Sequence, residues 1–251
     1  MGVVFRLLLP WVVVLNVSAQ EWPAKPVRII ATGTIGAVAV FRAEPDGYTL
    51  MSSPPAPLVI NPSLYRKLPY DPQQFVPVSV MAAIPSVMLV HPKTGASSVA
   101  DFVSLARHNP GKLNYASQGT SSVSFLTTEL FMAAAGGADG KLTIAHVPYK
   151  GTAPGLAALP EVLAMAEIYP GFVSVAWFGV VAPPKTPAAI AAKLHEGISE
   201  ALKMTDVQKR LAELSAEPIG MGPAEMAIFM REEAARWRDA IRTVGLKSGE
   251  L

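Results

Sequence analysis

The chain has 251 residues, of which 51% are hydrophobic and 16% are charged, and its formal net charge at pH 7 is +2. This composition excludes a largely disordered chain, and the small, dispersed charge excludes an electrostatic footprint for nucleic acid. Cysteine is absent, so disulfides and a lipid-modified cysteine are excluded, and the hydrophobic core alone must stabilise the fold.

The N-terminal segment has the pattern of an export signal. Arg6 supplies a small positive region, and Leu7 to Val17 form an apolar stretch that is too short to span a bilayer. Val17-Ser18-Ala19 then provides the small residues that a signal peptidase recognises. A buried N-terminal strand or helix is the alternative. We predict that residues 1–19 are a cleaved signal peptide and that the exported protein begins near Gln20.

Prolines and hydrophobic runs divide the next part of the chain into short elements. "VRIIAT" and "DGYTLMSS" are predicted strands, and "INPSLYRKLPYDP" is predicted to be irregular because prolines interrupt it. "PSVMLVHP" is a continuous apolar run, so we predict a strand buried on both faces. Ser97 or Ser98 is predicted to cap a helix that ends at Asn109-Pro110-Gly111.

The stretch "NYASQGTSSVSF", residues 114–125, leads from a predicted strand through glycine and hydroxyl residues into a helix. The first turn of a helix leaves backbone N–H groups without partners and carries partial positive charge. Small hydroxyl residues there add hydrogen-bond donors and allow an anion to approach closely. The simpler alternative is that Ser121 or Ser122 only caps the helix, which is predicted to bury Leu126, Leu130 and Ala134 on one side.

Strands and helices alternate through the rest of the chain, an order that is typical of parallel α/β structure. "LTIAHVPY" is a predicted strand that is followed by the turn and helix of "KGTAPGLAAL", and "SVAWFGVVAP" is a predicted buried strand. A helix is expected after Thr186-Pro187, and a shorter one is expected to have Thr205 as its cap. The last helix opens at Gly222-Pro223, and its predicted core stripe consists of Met226, Met230, Trp237, Ile241 and Val244.

Motifs of catalysis and of metal binding are absent from the sequence. It contains no G-x-S-x-G elbow, no phosphate-binding G-x-x-x-x-G-K-[ST] loop and no H-E-x-x-H helix. The four histidines are scattered without ligand-like spacing. We therefore expect no enzymatic activity, no metal and no cofactor.

Six phrases occur together in an order that identifies a family resemblance: "PDGYTL", "INPSLYRKLPYDP", "PGKLNYAS", "HVPYKGTAP", "YPGF" and "WFGVVAPPKTP". The chain resembles the periplasmic solute receptors of tripartite tricarboxylate transporters, the TctC or Bug family. The resemblance implies an α/β, two-lobed, periplasmic-binding-protein-like (Venus flytrap, type II) fold that captures a small organic carboxylate between its lobes. It also implies an exported, periplasmic monomer whose partners are membrane transporter subunits.

The resemblance implies that the hydroxyl-rich turn is both helix cap and carboxylate site. It adds the turn of "HVPYKG" on the same lobe, and we further expect two serines at the end of "YTLMSS" to contribute from the other lobe. The expected ligand-binding residues are Ser117, Gly119, Thr120, Ser121, Ser122, Tyr149, Lys150, Gly151, Ser52 and Ser53. Where the family often reads G-N-G-S-x-x-H, Ser121 here replaces a glycine and Phe125 replaces the histidine.

The same resemblance implies lobe boundaries and two losses of chain. Lobe 1 is expected to comprise residues 20–90 and 172–251, and lobe 2 residues 91–171, each with a mixed, mostly parallel sheet and with "PSVMLVHP" at the first crossing between lobes. After Ile30, the chain lacks a loop, a helix and a strand that the family has, and after Leu159 it lacks a second stretch. The alternative functions are therefore a truncated relic that binds nothing, or a secreted protein-interaction or signalling module.

Overall fold

The computed structural model describes residues 22–31, 33–137, 140–158, 163–165, 174–246 and 249, so the predicted signal peptide lies outside the described residues. The strands are β1 Arg28–Ala31, β2 Thr49–Ser53, β3 Val76–Pro85, β4 Met88–Val90, β5 Asn114–Ser117, β6 Ala145–Pro148, β7 Leu163–Met165, β8 Val175–Ala182 and β9 Glu217–Met221. The helices are α1 Thr34–Phe41, α2 Asn61–Leu64, α3 Val99–His108, α4 Val123–Gly136, α5 Thr152–Ala157, α6 Ala188–Lys203, α7 Thr205–Glu213 and α8 Pro223–Thr243.

The largest sheet has five strands in the order β1-β2-β8-β3-β9. Only β1 and β2 pair in parallel, and they are joined through α1. β8 is antiparallel to both β2 and β3, and β9 is antiparallel to β3. The prediction of a mostly parallel sheet is therefore wrong here, because β8 inserts from far along the chain between two strands that run opposite to it.

Two smaller strand pairs complete the fold. β5 and β6 are parallel and are joined through α4, as the alternating strand and helix pattern predicts. β4 and β7 are antiparallel. "PSVMLVHP" does not form one buried strand, since β3 ends at Pro85, Val87 is 63% exposed, and β4 begins only at Met88. The pairing extends one residue past Pro85, since the N–H of Ser86 donates to the carbonyl of Ser174 at 2.9 Å, so the strand is interrupted at the exposed Val87.

The helix starts follow local sequence signals in most cases. Ser98 caps α3 by accepting the N–H of Asp101 at 3.0 Å, as predicted. Thr205 is wrong as a cap, because it is the first residue of α7 and no side chain caps that helix. The segment "INPSLYRKLPYDP" is not irregular at its start, since a π-helical turn, Ala56–Ile60, leads directly into the helical turn Asn61–Leu64.

The helix α4 lies between two hydrophobic clusters. Phe125 and Leu126 belong to the main core, which also contains Met226 and Trp237 of α8. Phe131, Met132 and Ala135, nearer the C-terminal end of α4, belong to a second cluster. Ala134 is exposed, so the predicted single buried face is wrong for this residue. Each of the large side chains buried here contributes about 1.5–3 kcal/mol to the stability of the fold. The packing of α4 against both clusters therefore fixes the position of the turn that precedes it.

A buried carboxylate anchors α8 to the main sheet. Glu233 is only 7% exposed and accepts the indole N–H groups of Trp177 at 2.8 Å and Trp237 at 3.2 Å. It also accepts two N–H groups of Arg236. Burial raises the pKa of Glu233, but the hydrogen bonds from Arg236 and Trp177 outweigh it, so this pKa lies below its ordinary value. Of the predicted α8 stripe, Met226, Met230, Trp237 and Ile241 are confirmed as buried, whereas Val244 lies just after the helix and is only half-buried.

Candidate functional site

The turn between β5 and α4 is held in place by the hydroxyl of Ser122. This hydroxyl accepts the N–H of Phe125 at 3.1 Å and donates to the carbonyl of Gly119 at 2.6 Å. The backbone N–H of Ser122 also donates to the Gly119 carbonyl, at 3.0 Å. Gly119 has a φ of +103°, which residues with side chains rarely adopt. Ser122 is therefore the N-cap, and its hydroxyl hydrogen is already engaged.

Ser117 lies inside the turn and does not face solvent. It is 6% exposed, accepts the N–H of Gly119 at 3.1 Å, and places its hydroxyl oxygen 2.7 Å from Nε2 of His146. Its hydroxyl thus links the end of β5 to the neighbouring strand β6, which carries His146. The Ser117 hydroxyl therefore holds the turn in position and is not free to donate to a ligand.

Thr120 and Ser121 are the hydroxyl residues of the turn that remain available. Both are half-buried, and neither side chain makes a hydrogen bond to another described residue. They follow a strand end and precede the first turn of α4, where the helix dipole places partial positive charge. Two hydroxyls at this position are suited to donate to a carboxylate.

The second predicted turn adjoins the first. Ser117 and Pro148 are partners at the ends of β5 and β6, and the N–H of Tyr149 donates to the carbonyl of Ser117 at 2.8 Å. The side-chain amide of Gln118 also hydrogen-bonds the Thr152 hydroxyl at the start of α5. The structure therefore brings the turn of residues 118–122 and the turn of residues 149–151 to one edge of the parallel strand pair.

Lys150 and Gly151 have different roles in this second turn. Gly151 has a φ of +120° and is the N-cap of α5. Lys150 is exposed and forms no ion pair with any described residue, so its ammonium group is available to an anion at the adjoining turn. Tyr149 is half-buried and packs against Gly155 of α5.

An aromatic cluster lies beside the turn. The ring of His146 is 5.0 Å from that of Tyr115 and 4.7 Å from that of Phe125, measured between centroids. Burial lowers the pKa of His146, and the charge of Glu129 only partly opposes this, so the imidazole is neutral at pH 7. Sequence reasoning missed His146 as a partner of Ser117, although it stands in the phrase "HVPYKG".

Glu129 links the aromatic cluster to α4. The hydroxyl of Tyr115 donates to Glu129 at 2.7 Å, and Lys141 forms an ion pair with the same carboxylate. Burial, followed by the hydrogen bond to Glu129, raises the pKa of Tyr115 well above its ordinary value. The Tyr115 hydroxyl therefore stays protonated and keeps β5 tied to the helix behind the turn.

The serines at the end of β2 are not joined to these two turns by any hydrogen bond among the described residues. Ser53 is fully buried and donates to the carbonyl of Pro54 at 2.8 Å, whereas Ser52 is half-buried. A short distance further along the chain, the side-chain amide of Asn61 donates to the hydroxyl of Thr34 at 3.2 Å. Asn61 is 2% exposed and its Oδ1 has no partner in the described part of the protein. Sequence reasoning missed this pair.

Other candidate sites are limited in the part of the chain that the structure describes. No group of His, Asp and Glu side chains there is arranged to hold a metal ion. A surface depression of about 440 Å³ lies beside α3, and another of about 530 Å³ lies between β1 and α6. Neither depression contains a residue of the two turns. Among the described helices, none combines the length and apolar character needed to cross a membrane.

The chain is similar to proteins of one receptor family. The model of the tripartite tricarboxylate transporter family receptor matches residues 24–159 and 155–246. Protein BugT of Bordetella pertussis is 30% identical to this chain over a match that covers 93% of this chain and 84% of BugT. This match runs over 279 positions, whereas 93% of a 251-residue chain is about 233 residues, so about 46 aligned positions are absent here.

Solved structures show the same likeness. An R. palustris protein solved with adipate is 26% identical, with a TM-score of 0.82 over 91% of this chain and 100% of that protein. MatC from Rhodopseudomonas palustris, with bound malate, is 29% identical, with a TM-score of 0.72 over 83% of this chain and 84% of MatC. The fold is therefore the α/β, two-lobed fold of periplasmic binding proteins.

Proposed function

The chain belongs to the tripartite tricarboxylate transporter receptor family, and we propose that it is an exported receptor that captures a small organic carboxylate for a transporter of this kind. Two similar proteins were solved with the dicarboxylates adipate and malate, which supports this ligand class. The observation that carries the proposal is the pair of unengaged hydroxyls, Thr120 and Ser121, beside the start of α4, in a turn that adjoins the turn carrying Lys150.

In the proposed complex, each part of the two turns has a separate task. Thr120 and Ser121 donate hydrogen bonds to one ligand carboxylate, and the α4 dipole and the Lys150 charge add electrostatic attraction. Ser117 and Ser122 hold the turn in shape. Residues 20–90 with 172–251 form one lobe and residues 91–171 the other, and closure about the ligand presents the loaded receptor to its membrane partner. Ser52 and Ser53 are proposed to contribute from the first lobe.

The proposal requires no cofactor and no catalysis, only reversible binding in the periplasm. The family is one of periplasmic solute receptors, and the proposed route of export is the N-terminal signal of residues 1–19. The helix start and Lys150 both attract the negative charge of a carboxylate and so strengthen its binding. They strengthen the binding of a neutral amide of the same shape only slightly.

A thermal-shift assay of the mature chain against a carboxylate panel tests this function. Adipate, malate and citrate are compared with the neutral diamides of adipate and malate as matched controls. A ligand present at 100 times its Kd stabilises the native state by about 2.7 kcal/mol. For a chain of this size, this stabilisation raises the Tm by roughly 5–10 °C. A Tm that no carboxylate raises, or that the diamides raise equally, would overturn the proposal.

The alternative is a relic or a secreted interaction module on the same scaffold. Two observations favour this alternative. Phe125 and Leu126 of α4, in the second proposed lobe, pack in the same hydrophobic cluster as α8 of the first. The chain also lacks positions that are present in its BugT alignment. A folded protein that no member of the panel stabilises would support this alternative.

A further inference from the structure

The turn of residues 149–151 is fastened to the end of β5 on both of its sides. On the first side, the backbone N–H of Tyr149 donates to the carbonyl of Ser117 at 2.8 Å. On the second side, the side-chain amide of Gln118 hydrogen-bonds the hydroxyl of Thr152. The two residues that hold the turn are consecutive in the chain, so the turn and the end of β5 form a closed ring.

Only the second of these fastenings depends on side chains. The bond from Tyr149 joins backbone groups directly after the paired strands β5 and β6, so it does not depend on which side chains are present. No side chain caps α5, and among the described residues the Thr152 hydroxyl bonds Gln118 alone. A hydroxyl both donates and accepts, so it bonds the Gln118 amide in either orientation of that amide.

The residue between Lys150 and Thr152 makes this fastening important for the turn. Gly151 has a φ of +120°, and glycine can adopt many other conformations when nothing restrains it. Lys150 is exposed and forms no ion pair with a described residue. The bond between Gln118 and Thr152 therefore restrains the backbone from which the Lys150 ammonium group extends.

Gln118 is also part of the turn that is proposed to bind the carboxylate. Its backbone N–H donates to the hydroxyl of Ser124 in the first turn of α4 at 3.4 Å, and its side chain reaches the first residue of α5. Gln118 thus joins the starts of the helices behind both turns. A charge strengthens the binding of an anion only when it is held close, because the attraction falls with distance and is screened by salt.

We propose that Gln118 is a positioning residue of the carboxylate site. Its bond to Thr152 holds the Lys150 ammonium group toward the carboxylate that the other turn binds. The inference rests on the proposed function and adds to it a residue that acts through Lys150 and not by touching the ligand. Without this bond, the Lys150 charge is spread over more positions and contributes less to binding, whereas the hydroxyls of the other turn still donate.

Calorimetric titration of the mature chain with adipate, malate and citrate, each at low and at high salt, tests this role. Gln118→Met removes the amide and keeps the length of the side chain, so Kd at low salt is expected to rise by about two- to fivefold. The salt dependence of Kd should also become weaker, as in Lys150→Met, because the screened charge no longer contributes. A purely structural role would leave this salt dependence unchanged. The matched control is Gln208→Met, which changes an exposed glutamine of α7 and should bind like the wild type.

Two further comparisons show whether Gln118 acts through its proposed partners. Gln118→Met combined with Lys150→Met should bind no more weakly than either single variant, because both remove the same contribution. Thr152→Val should bind like Gln118→Met, whereas Thr152→Ser keeps the hydroxyl and should bind like the wild type.

The outcomes separate this inference from the proposed function. A folded chain that binds none of the three carboxylates would overturn both. If a carboxylate binds, the positioning role alone is overturned by any of three results: a wild-type salt dependence in Gln118→Met, additive losses in the double variant, or equal binding by the two Thr152 variants.

Discussion

Replacing Ser122 by alanine should destabilise the fold, whereas replacing the neighbouring Ser121 should weaken carboxylate binding. The Ser122 hydroxyl makes three hydrogen bonds, with the N–H of Phe125, the carbonyl of Gly119 and the hydroxyl of Ser124. Loss of an N-cap costs about 1 kcal/mol. The Gly119 carbonyl keeps the Ser122 N–H as a partner, so we expect a total loss of about 1–2 kcal/mol. For a chain of this size, the Tm should fall by roughly 2–8 °C.

The Ser121 hydroxyl makes no hydrogen bond to another described residue, so Ser121→Ala should change stability by less than about 0.5 kcal/mol. If this hydroxyl donates to the ligand carboxylate, its loss costs about 1.5–3 kcal/mol of binding free energy, or roughly ten- to a hundredfold in Kd. Circular dichroism melts and calorimetric titrations of both variants separate the two effects. Wild-type affinity in Ser121→Ala, or a wild-type Tm in Ser122→Ala, would refute this division of tasks.

Three further predictions concern the core, pH and export. Glu233→Gln should lower the free energy of unfolding by about 3 kcal/mol, because the buried carboxylate accepts hydrogen bonds from two indole N–H groups and from the Arg236 guanidinium. A urea melt that shows a loss below about 1 kcal/mol would contradict this. Because burial lowers the pKa of His146, the unfolded chain takes up its proton first, and stability should fall as the pH falls below about 6.5. His146→Gln should reduce this fall below about pH 6.5, and an unchanged slope would rule out the histidine as its cause. Mass spectrometry of the exported protein should find a chain that begins near Gln20, and an intact N-terminus would exclude the cleaved signal.

Local features of this fold could be predicted because they depend on neighbouring residues. Ser98 and Ser122 are caps since each directly precedes a helix and can reach an N–H three residues later. The α8 stripe follows helical spacing, and the phrases around "NYAS" and "HVPYKG" place both turns at strand ends. The adjacency of these turns follows because the carboxyl ends of parallel strands meet at one edge.

Features that depend on distant residues could not be predicted. The insertion of β8 between β2 and β3 joins segments at least 90 residues apart, and no local pattern encodes this order. α4 contributes to two hydrophobic clusters, so a search for one apolar face missed Phe131 and included the exposed Ala134. The partners of Ser117 and Ser122 likewise decide which hydroxyls remain free, and the contact of Ser117 with His146 spans 29 residues.

Isothermal titration calorimetry of the mature chain with adipate, malate and citrate tests the central claim most directly. The account predicts saturable binding of at least one of these carboxylates with one site per chain, and a weaker affinity in a Thr120→Val, Ser121→Ala double variant that melts like the wild type. A folded chain that binds none of them, or a double variant that binds as tightly as the wild type, would contradict it.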